Sequence, residues 1–172
     1  MADMSQDVLK NNLTNPAKGF LWEVMFVNPI GGGDADALDA RCQSSSIPGR
    51  SVGEITIPYK GTPGVRFPGK LQMSHNWSVT FVESTEDRKT FNALHAWHQA
   101  IVNDRTGLGG PDPAIKSDVY LKCLDQAGTT WLTIKLVGCY VSEIGEVSLS
   151  YETNTNIIFP VTLSYDRWEK VE

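Results

Sequence analysis

The chain has 172 residues, 41% of them hydrophobic and 20% charged, with a formal net charge of −5, an ordinary soluble-domain composition. The negative charge argues against a protein that grips nucleic-acid phosphates, which needs a basic surface. No apolar run approaches the ~20 residues that span a bilayer, and the polar start, MADMSQDVLKNNLTNPAKG, lacks the apolar centre of a secretory signal. Synthesis in the cytoplasm and no membrane anchor are therefore expected. There, Cys42, Cys123 and Cys139 are odd in number, form no CxxC, and read as buried free thiols.

Residues 1–19 read as a flexible N-terminal arm, and residues 20–172 as a single domain. Phe20–Val27 is β-rich and ends at Asn28-Pro29. Gly31-Gly32-Gly33-Asp34-Ala35-Asp36 reads as a loop. Short strands are expected around Arg41–Ile47 and Ser51–Ile57, separated by Pro48-Gly49. Residues 58–70 contain Pro58, Pro63, Pro68, Gly61, Gly64 and Gly69, a density of breakers that predicts a long loop, the kind of segment that is often functional.

The clearest period-two pattern runs from Leu71 to Glu83. Leu71, Met73, Trp77, Val79 and Phe81 alternate with Gln72, Ser74, Asn76, Ser78 and Thr80, predicting one half-buried strand. After Ser84-Thr85, Phe91, Leu94, Trp97 and Ile101 recur at helical spacing, predicting one amphipathic helix from about Glu86 to Val102. Gly107-Leu108-Gly109-Gly110-Pro111 ends it. Further β segments are expected at Val119–Leu124, Thr130–Val141, Val147–Tyr151 and Asn156–Trp168, with a hairpin cue at Gln126-Ala127-Gly128. The expected fold class is mainly β: an antiparallel sandwich or barrel flanked by one helix.

Catalytic patterns fail on inspection. His95 and His98 stand at i, i+3, but His98 falls in the apolar arc of the helix and no third ligand matches the spacing. His75 sits on the apolar side of its strand and reads as a core histidine. The run at 31–33 lacks the P-loop lysine, Asp34, Asp36 and Asp39 break the calcium-loop pattern at Leu38, and no serine lies in a GxSxG elbow. No catalytic residue, metal or cofactor is expected.

The order of segments carries a resemblance. Cys42–Gly49 contains Cys-x4-Ile-Pro-Gly, and a later segment ends in Ile57-Pro58. A Trp-centred strand, Asn76–Phe81, precedes the helix bearing Trp97. The C-terminal third reads Ile144-Gly145-Glu146-Val147-Ser148-Leu149-Ser150-Tyr151 and then Phe159-Pro160-Val161-Thr162-Leu163-Ser164-Tyr165-Asp166-Arg167-Trp168-Glu169. This resembles the tail-tube protein family of T4-like contractile bacteriophages, from Phe20 onward. The resemblance implies a β-barrel-like subunit that forms stacked hexameric rings, the inner conduit of a contractile tail. Its implied partners are copies of itself, the sheath outside, the tape-measure protein inside, and baseplate and tube-terminator proteins at the ends. Genomic DNA would pass through the lumen without specific binding. Related subunits build phage-tail-like bacteriocins and type VI-like secretion tubes, so such a tube is the alternative within the same class. A ligand-binding barrel is the alternative outside it.

Charge and polarity suggest where assembly is encoded. Residues 50–70 carry Arg50, Lys60, Arg66 and Lys70 against Glu54, a net of +3. From residue 143 onward, Glu143, Glu146, Glu152, Asp166, Glu169 and Glu172 face Arg167 and Lys170, a net of −4. Lys60, Arg66 and Lys70 with Glu143, Glu146 and Glu152 are thus candidate inter-subunit or inter-ring contacts. The uncharged set Gln72, Ser74, Asn76, Ser78 and Thr80 is a candidate lumen lining, with an ordinary solvated sheet face as the alternative.

Overall fold

A computed structural model of the chain describes residues 15–30, 34–152 and 155–171. The expected arm before residue 15 and the glycine run at 31–33 lie outside the described residues. Nine strands are described: β1 (Trp22–Phe26), β2 (Cys42–Ser44), β3 (Arg50–Tyr59), β4 (Thr62–Met73), β5 (Asn76–Val82), β6 (Ser117–Leu124), β7 (Thr130–Ile144), β8 (Ile158–Ser164) and β9 (Arg167–Val171). The helices are α1 (Ala35–Arg41), α2 (Lys89–Ile101) and the single turn α3 (Asp112–Ile115). All pairings are antiparallel. Seven strands form one nearly closed barrel in the order β1-β6-β7-β8-β5-β2, with β9 on β7, while among the described residues β3 and β4 pair only with each other.

Alternation fills the barrel. β6 buries Val119, Leu121 and Cys123 while its intervening residues face out, and β5 buries Trp77, Val79 and Phe81. Helix α2 lays Ala93, Leu94 and Trp97 onto this core, where Trp97 meets Phe26 edge-on with ring centroids 6.4 Å apart. The two buried indoles satisfy their N–H groups: Trp97 Nε1 donates to the Ile115 carbonyl at 2.9 Å, and Trp77 Nε1 to the Ser46 carbonyl at 2.7 Å.

Several sequence expectations are corrected. The expected loop at Asp34-Ala35-Asp36 leads directly into a second helix. The Asp34 carboxylate accepts from the Ala37 N–H at 3.2 Å, and Leu38 is fully buried beneath. Helix α2 starts at Lys89 rather than Glu86, because its opening turn is capped from outside. The Glu83 carboxylate accepts from Phe91 N at 2.6 Å and from the Arg41 guanidinium at 3.0 Å. Arg41 also binds Asp87 at 2.6 Å, and Lys89 binds Asp34 at 2.9 Å, tying α1 to α2. The hydrogen bond from Arg41 holds the Asp87 carboxyl below its usual range, and that from Lys89 does the same for Asp34.

The expected strand at Asn156–Trp168 is two strands, divided at Tyr165-Asp166. Asp166 is held there by its N–H to the Val137 carbonyl at 3.0 Å and by Lys116 at 3.0 Å. Gly138, at φ +68°, faces the Asp166 carboxylate, where any Cβ would collide. Val147–Tyr151, expected as a strand, pairs with no strand among the described residues. His75 lies exposed rather than in the core, its Nδ1 3.0 Å from the Tyr165 carbonyl. Cys123 and Cys139 are buried free thiols as expected, whereas Cys42 is only half-buried, and desolvation pushes the Cys42 and Cys139 thiols up to about 12.

Leu94, fully buried between α2 and the barrel, is a sensitive probe of this packing. Leu94→Ala is expected to cost about 2–5 kcal/mol, measured as a shift of the urea midpoint of the unassembled subunit without a change in slope.

Candidate assembly surface

The segment expected as a long loop is the outer half of a β-ribbon. Arg50–Tyr59 and Thr62–Met73 form a hairpin that turns at Lys60-Gly61, both at positive φ (34° and 73°), the geometry a two-residue hairpin turn requires. Thr62 Oγ1 donates to the Tyr59 carbonyl at 2.6 Å and closes the turn. The prolines are compatible with strands here because, among the described residues, neither β3 nor β4 has a second neighbour, so an outward position needs no donor.

The ribbon has two apolar patches on opposite faces. Cross-strand partners share a face, and Ile55↔Phe67 and Ile57↔Val65 place four apolar side chains together toward the tip. Val52↔Leu71 and Arg50↔Met73 lie nearer the base, at the other parity of β3 and therefore on the other face. Register shifts between Val52 and Glu54, where Gly53 and Gly69 cross so closely that a Cβ on Gly69 would sit 3.0 Å from the Gly53 carbonyl oxygen. Ile55 is 55% exposed, Phe67 48% and Leu71 58%. Opposite the tip patch, Arg66 pairs with Glu54 at 2.9 Å.

The base of the ribbon is fixed to the barrel on both sides. The Arg50 guanidinium lies 3.7 Å over the Trp168 ring and donates to the Trp168 carbonyl at 2.6 Å. On the other side the Tyr165 hydroxyl donates to the Ser74 carbonyl and Tyr165 N to the His75 carbonyl at 2.9 Å. The chain breaks there from β4 to β5, so the expected single strand from Leu71 to Glu83 is two strands in different sheets.

This break separates the candidate residues. Gln72 lies on β4 opposite Ser51, and Ser74 is in the link. Asn76, Ser78 and Thr80 stay together on the outward face of β5, joined by Ser164 and Thr162 from β8. Ser164 donates to Asn76 at 3.0 Å, the Ser44 and Thr80 hydroxyls are 2.6 Å apart, and Ser142 donates to the Thr162 carbonyl at 2.9 Å. By contrast, the outward face of β1, β6, β7 and β9 is charged and internally paired, with Lys122–Glu23 at 3.0 Å and Lys135–Asp118 at 2.8 Å.

Among the basic candidates, Lys60 is at the ribbon tip, its ammonium 5.5 Å from the Tyr59 ring, and Lys70 is exposed on β4. Among the acidic ones, Glu143 is the penultimate residue of β7, while Glu146 and Glu152 lie in the irregular segment beyond it. No ion pair joins the basic to the acidic candidates within the described residues of one subunit. The expected strand Ser51–Ile57 is present within β3. What sequence reading missed is its partner β4 and the exposed apolar patch the two strands make, because the prolines overrode the alternation of Val65 and Phe67.

Because these side chains add nothing to the subunit core, Ile55→Thr with Phe67→Thr is expected to leave the unfolding free energy of the unassembled chain within about 0.5 kcal/mol. The same change should lower its binding of a hydrophobic dye.

The family profile described as T4-like virus tail tube protein gp19 matches residues 25–169. The chain is 26% identical over 132 residues to the tail tube protein gp19 of Enterobacteria phage T4, covering 75% of this chain and 79% of that one, and equally to its counterpart from phage T6. Among solved structures, the sheath/tube terminator of an extracellular contractile injection system aligns with a TM-score of 0.66 at 18% identity, covering 91% of this chain and 97% of that one. The sheath–tube complex of such a system aligns at 0.61 and 17%, covering 98% of each chain. Those two likenesses concern the fold. With the profile spanning most of its length, the chain belongs to the T4-like virus tail tube protein family.

Proposed function

We propose that this chain is a non-enzymatic building block of a phage tail: it polymerises as stacked hexameric rings into the hollow inner tube around which a contractile sheath is wrapped. The observation that carries the reading, beside family membership, is the ribbon Arg50–Met73. A two-stranded ribbon with exposed apolar patches on both faces is marginal alone in water and marks an interaction surface. Another copy of the chain is the natural cover, because head-to-tail contacts in a ring present the same complementary surfaces at every step.

In this assembly the sheath lies outside, the tape-measure protein occupies the lumen until DNA replaces it, and baseplate and terminator proteins hold the ends. The hydroxyl- and amide-rich face formed by Asn76, Ser78, Thr80, Thr162 and Ser164 lines the channel. It holds water and offers phosphate no cation, so DNA slides. Glu143, opposite Thr162 in the β7–β8 register, adds repulsion that acts over about 8–10 Å at physiological salt. Lys60, Lys70 and Arg66 read the acidic surface of a neighbour and set the register of stacking.

Purified protein examined by negative-stain microscopy should show rings or hollow rods, and a monomer under all conditions would refute the tube. Lys60→Glu with Arg66→Glu is expected to shorten the rods and make them dissociate at lower salt. Ser78→Lys with Thr162→Lys is expected to make assembled rods retain DNA at physiological salt, where the parent rods retain none; equal retention would remove this face from the lumen.

A further inference from the structure

Residues 145–152 have the pattern of a strand and, among the described residues, no strand to pair with. Val147, Leu149 and Tyr151 alternate with Glu146, Ser148 and Ser150, the signature of a one-sided β segment. Yet the segment is irregular in the subunit, with Leu149 77% exposed and Tyr151 fully so. Both ends of the connection are pinned to the barrel. Gly145 N donates to the Pro160 carbonyl at 2.7 Å, and the Ile157 carbonyl accepts from Glu83 N at 3.4 Å. Between them, the described residues make a single side-chain hydrogen bond, from Glu152 N to Ser150 Oγ. The segment is a strap held by its ends, and its described residues 146–152 make no backbone–backbone hydrogen bond.

The ribbon presents the complement. Each of its strands has a free edge. That of β4 is interrupted by Pro63 and Pro68, whereas β3 carries Pro58 alone, next to the tip. Its tip patch is apolar, and Lys60 and Lys70 are free of ion pairs among the described residues.

Resting on the tube reading above, we infer that residues 146–152 of one subunit add as a third strand to the β3 edge of a neighbouring subunit's ribbon. Strand addition satisfies the backbone of both elements. It brings Leu149 and Tyr151 beside Ile55 and Ile57 on the tip patch. Glu146 and Glu152, at the two ends of the strap, then come within reach of Lys60 and Lys70. The strap is thus the assembly partner of the ribbon, ordered into a strand when rings form, and its irregularity in the single subunit is that of an element awaiting its neighbour.

Cysteine cross-linking in assembled rods tests this. The native Cys123 and Cys139 are buried, and the parent chain supplies the background. Leu149→Cys combined with Ile55→Cys or Ile57→Cys should give an oxidation-dependent ladder of linked subunits on a non-reducing gel. Leu149→Cys with Phe67→Cys, one strand farther away, should stay near background. Independently, Leu149→Asp should abolish rods while leaving the circular dichroism and unfolding midpoint of the subunit unchanged. If parent rods form but neither β3 pair cross-links above background, or if Leu149→Asp assembles as well as the parent, the strap inference falls and the tube reading stands. If the parent never forms rods, both fall.

Discussion

The fold depends on an imbalance between two sheets. The barrel closes on a core in which Trp77, Phe81, Leu94, Trp97, Leu136 and Leu163 are essentially removed from water, and it needs nothing further. The ribbon Arg50–Met73 has no second layer, so its apolar side chains remain half in water. A side chain such as Ile or Phe contributes about 1.5–3 kcal/mol when fully buried. Leaving several uncovered makes the isolated subunit an incomplete structure, and completion requires a neighbour.

The anchors at the base give that requirement a direction. Arg50 is held over Trp168 and against its carbonyl, and Tyr165 holds Ser74 and His75. Both anchors come from β9 and the link that joins it to β8, where the divide at Asp166 is locked by Lys116 and Gly138. The ribbon therefore leaves the barrel at a set angle rather than as a loose arm. Preorganisation of this kind lowers the ordering entropy that association must overcome. In a closed ring the advantage multiplies, since each subunit engages two neighbours at once and the last contact is intramolecular.

Much of this was legible in the residues, and the failures share a cause. The barrel strands and α2 were readable because their periodicities report burial within one chain: Trp77, Val79 and Phe81 alternate, and Leu94 and Trp97 fall on one helical face. Ser51–Ile57 was readable as a strand, but the tip of the ribbon and most of β4 were hidden because Pro58, Pro63 and Pro68 are breakers in a central strand and permissible in an edge strand, and sequence alone does not say which strands are edges. The strand from Leu71 to Glu83 looked continuous because Leu71 and Met73 share the parity of Trp77. They belong instead to the ribbon's exposed patch, and no local pattern marks the break at Ser74-His75. Helix α1 was missed beside its glycine run, although Asp34 ahead of Ala35-Asp36-Ala37-Leu38 is a capping signal. The candidate charges were found by counting, but Arg66 already has Glu54 as partner, a pairing that becomes visible only once the register of β3 and β4 is known.

The mismatch at Val147–Tyr151 carries a different meaning from the others. There the pattern is that of a strand, and the described residues of the subunit offer no strand to pair it with. Local preference and tertiary structure ordinarily agree in a natural sequence, so a strand pattern left unpaired beside acidic residues points to a partner outside the chain. The ribbon shows the reciprocal state, paired within itself and unfinished at its faces and edges. A strand-patterned segment without a sheet among the described residues and a ribbon with open edges, in one chain that belongs to a tail tube protein family, are physically complementary. Keeping them apart within the subunit, the strap pinned at Pro160 and Glu83 and the ribbon at Trp168 and Tyr165, is what prevents the chain from satisfying itself and leaves the bond to be made between copies.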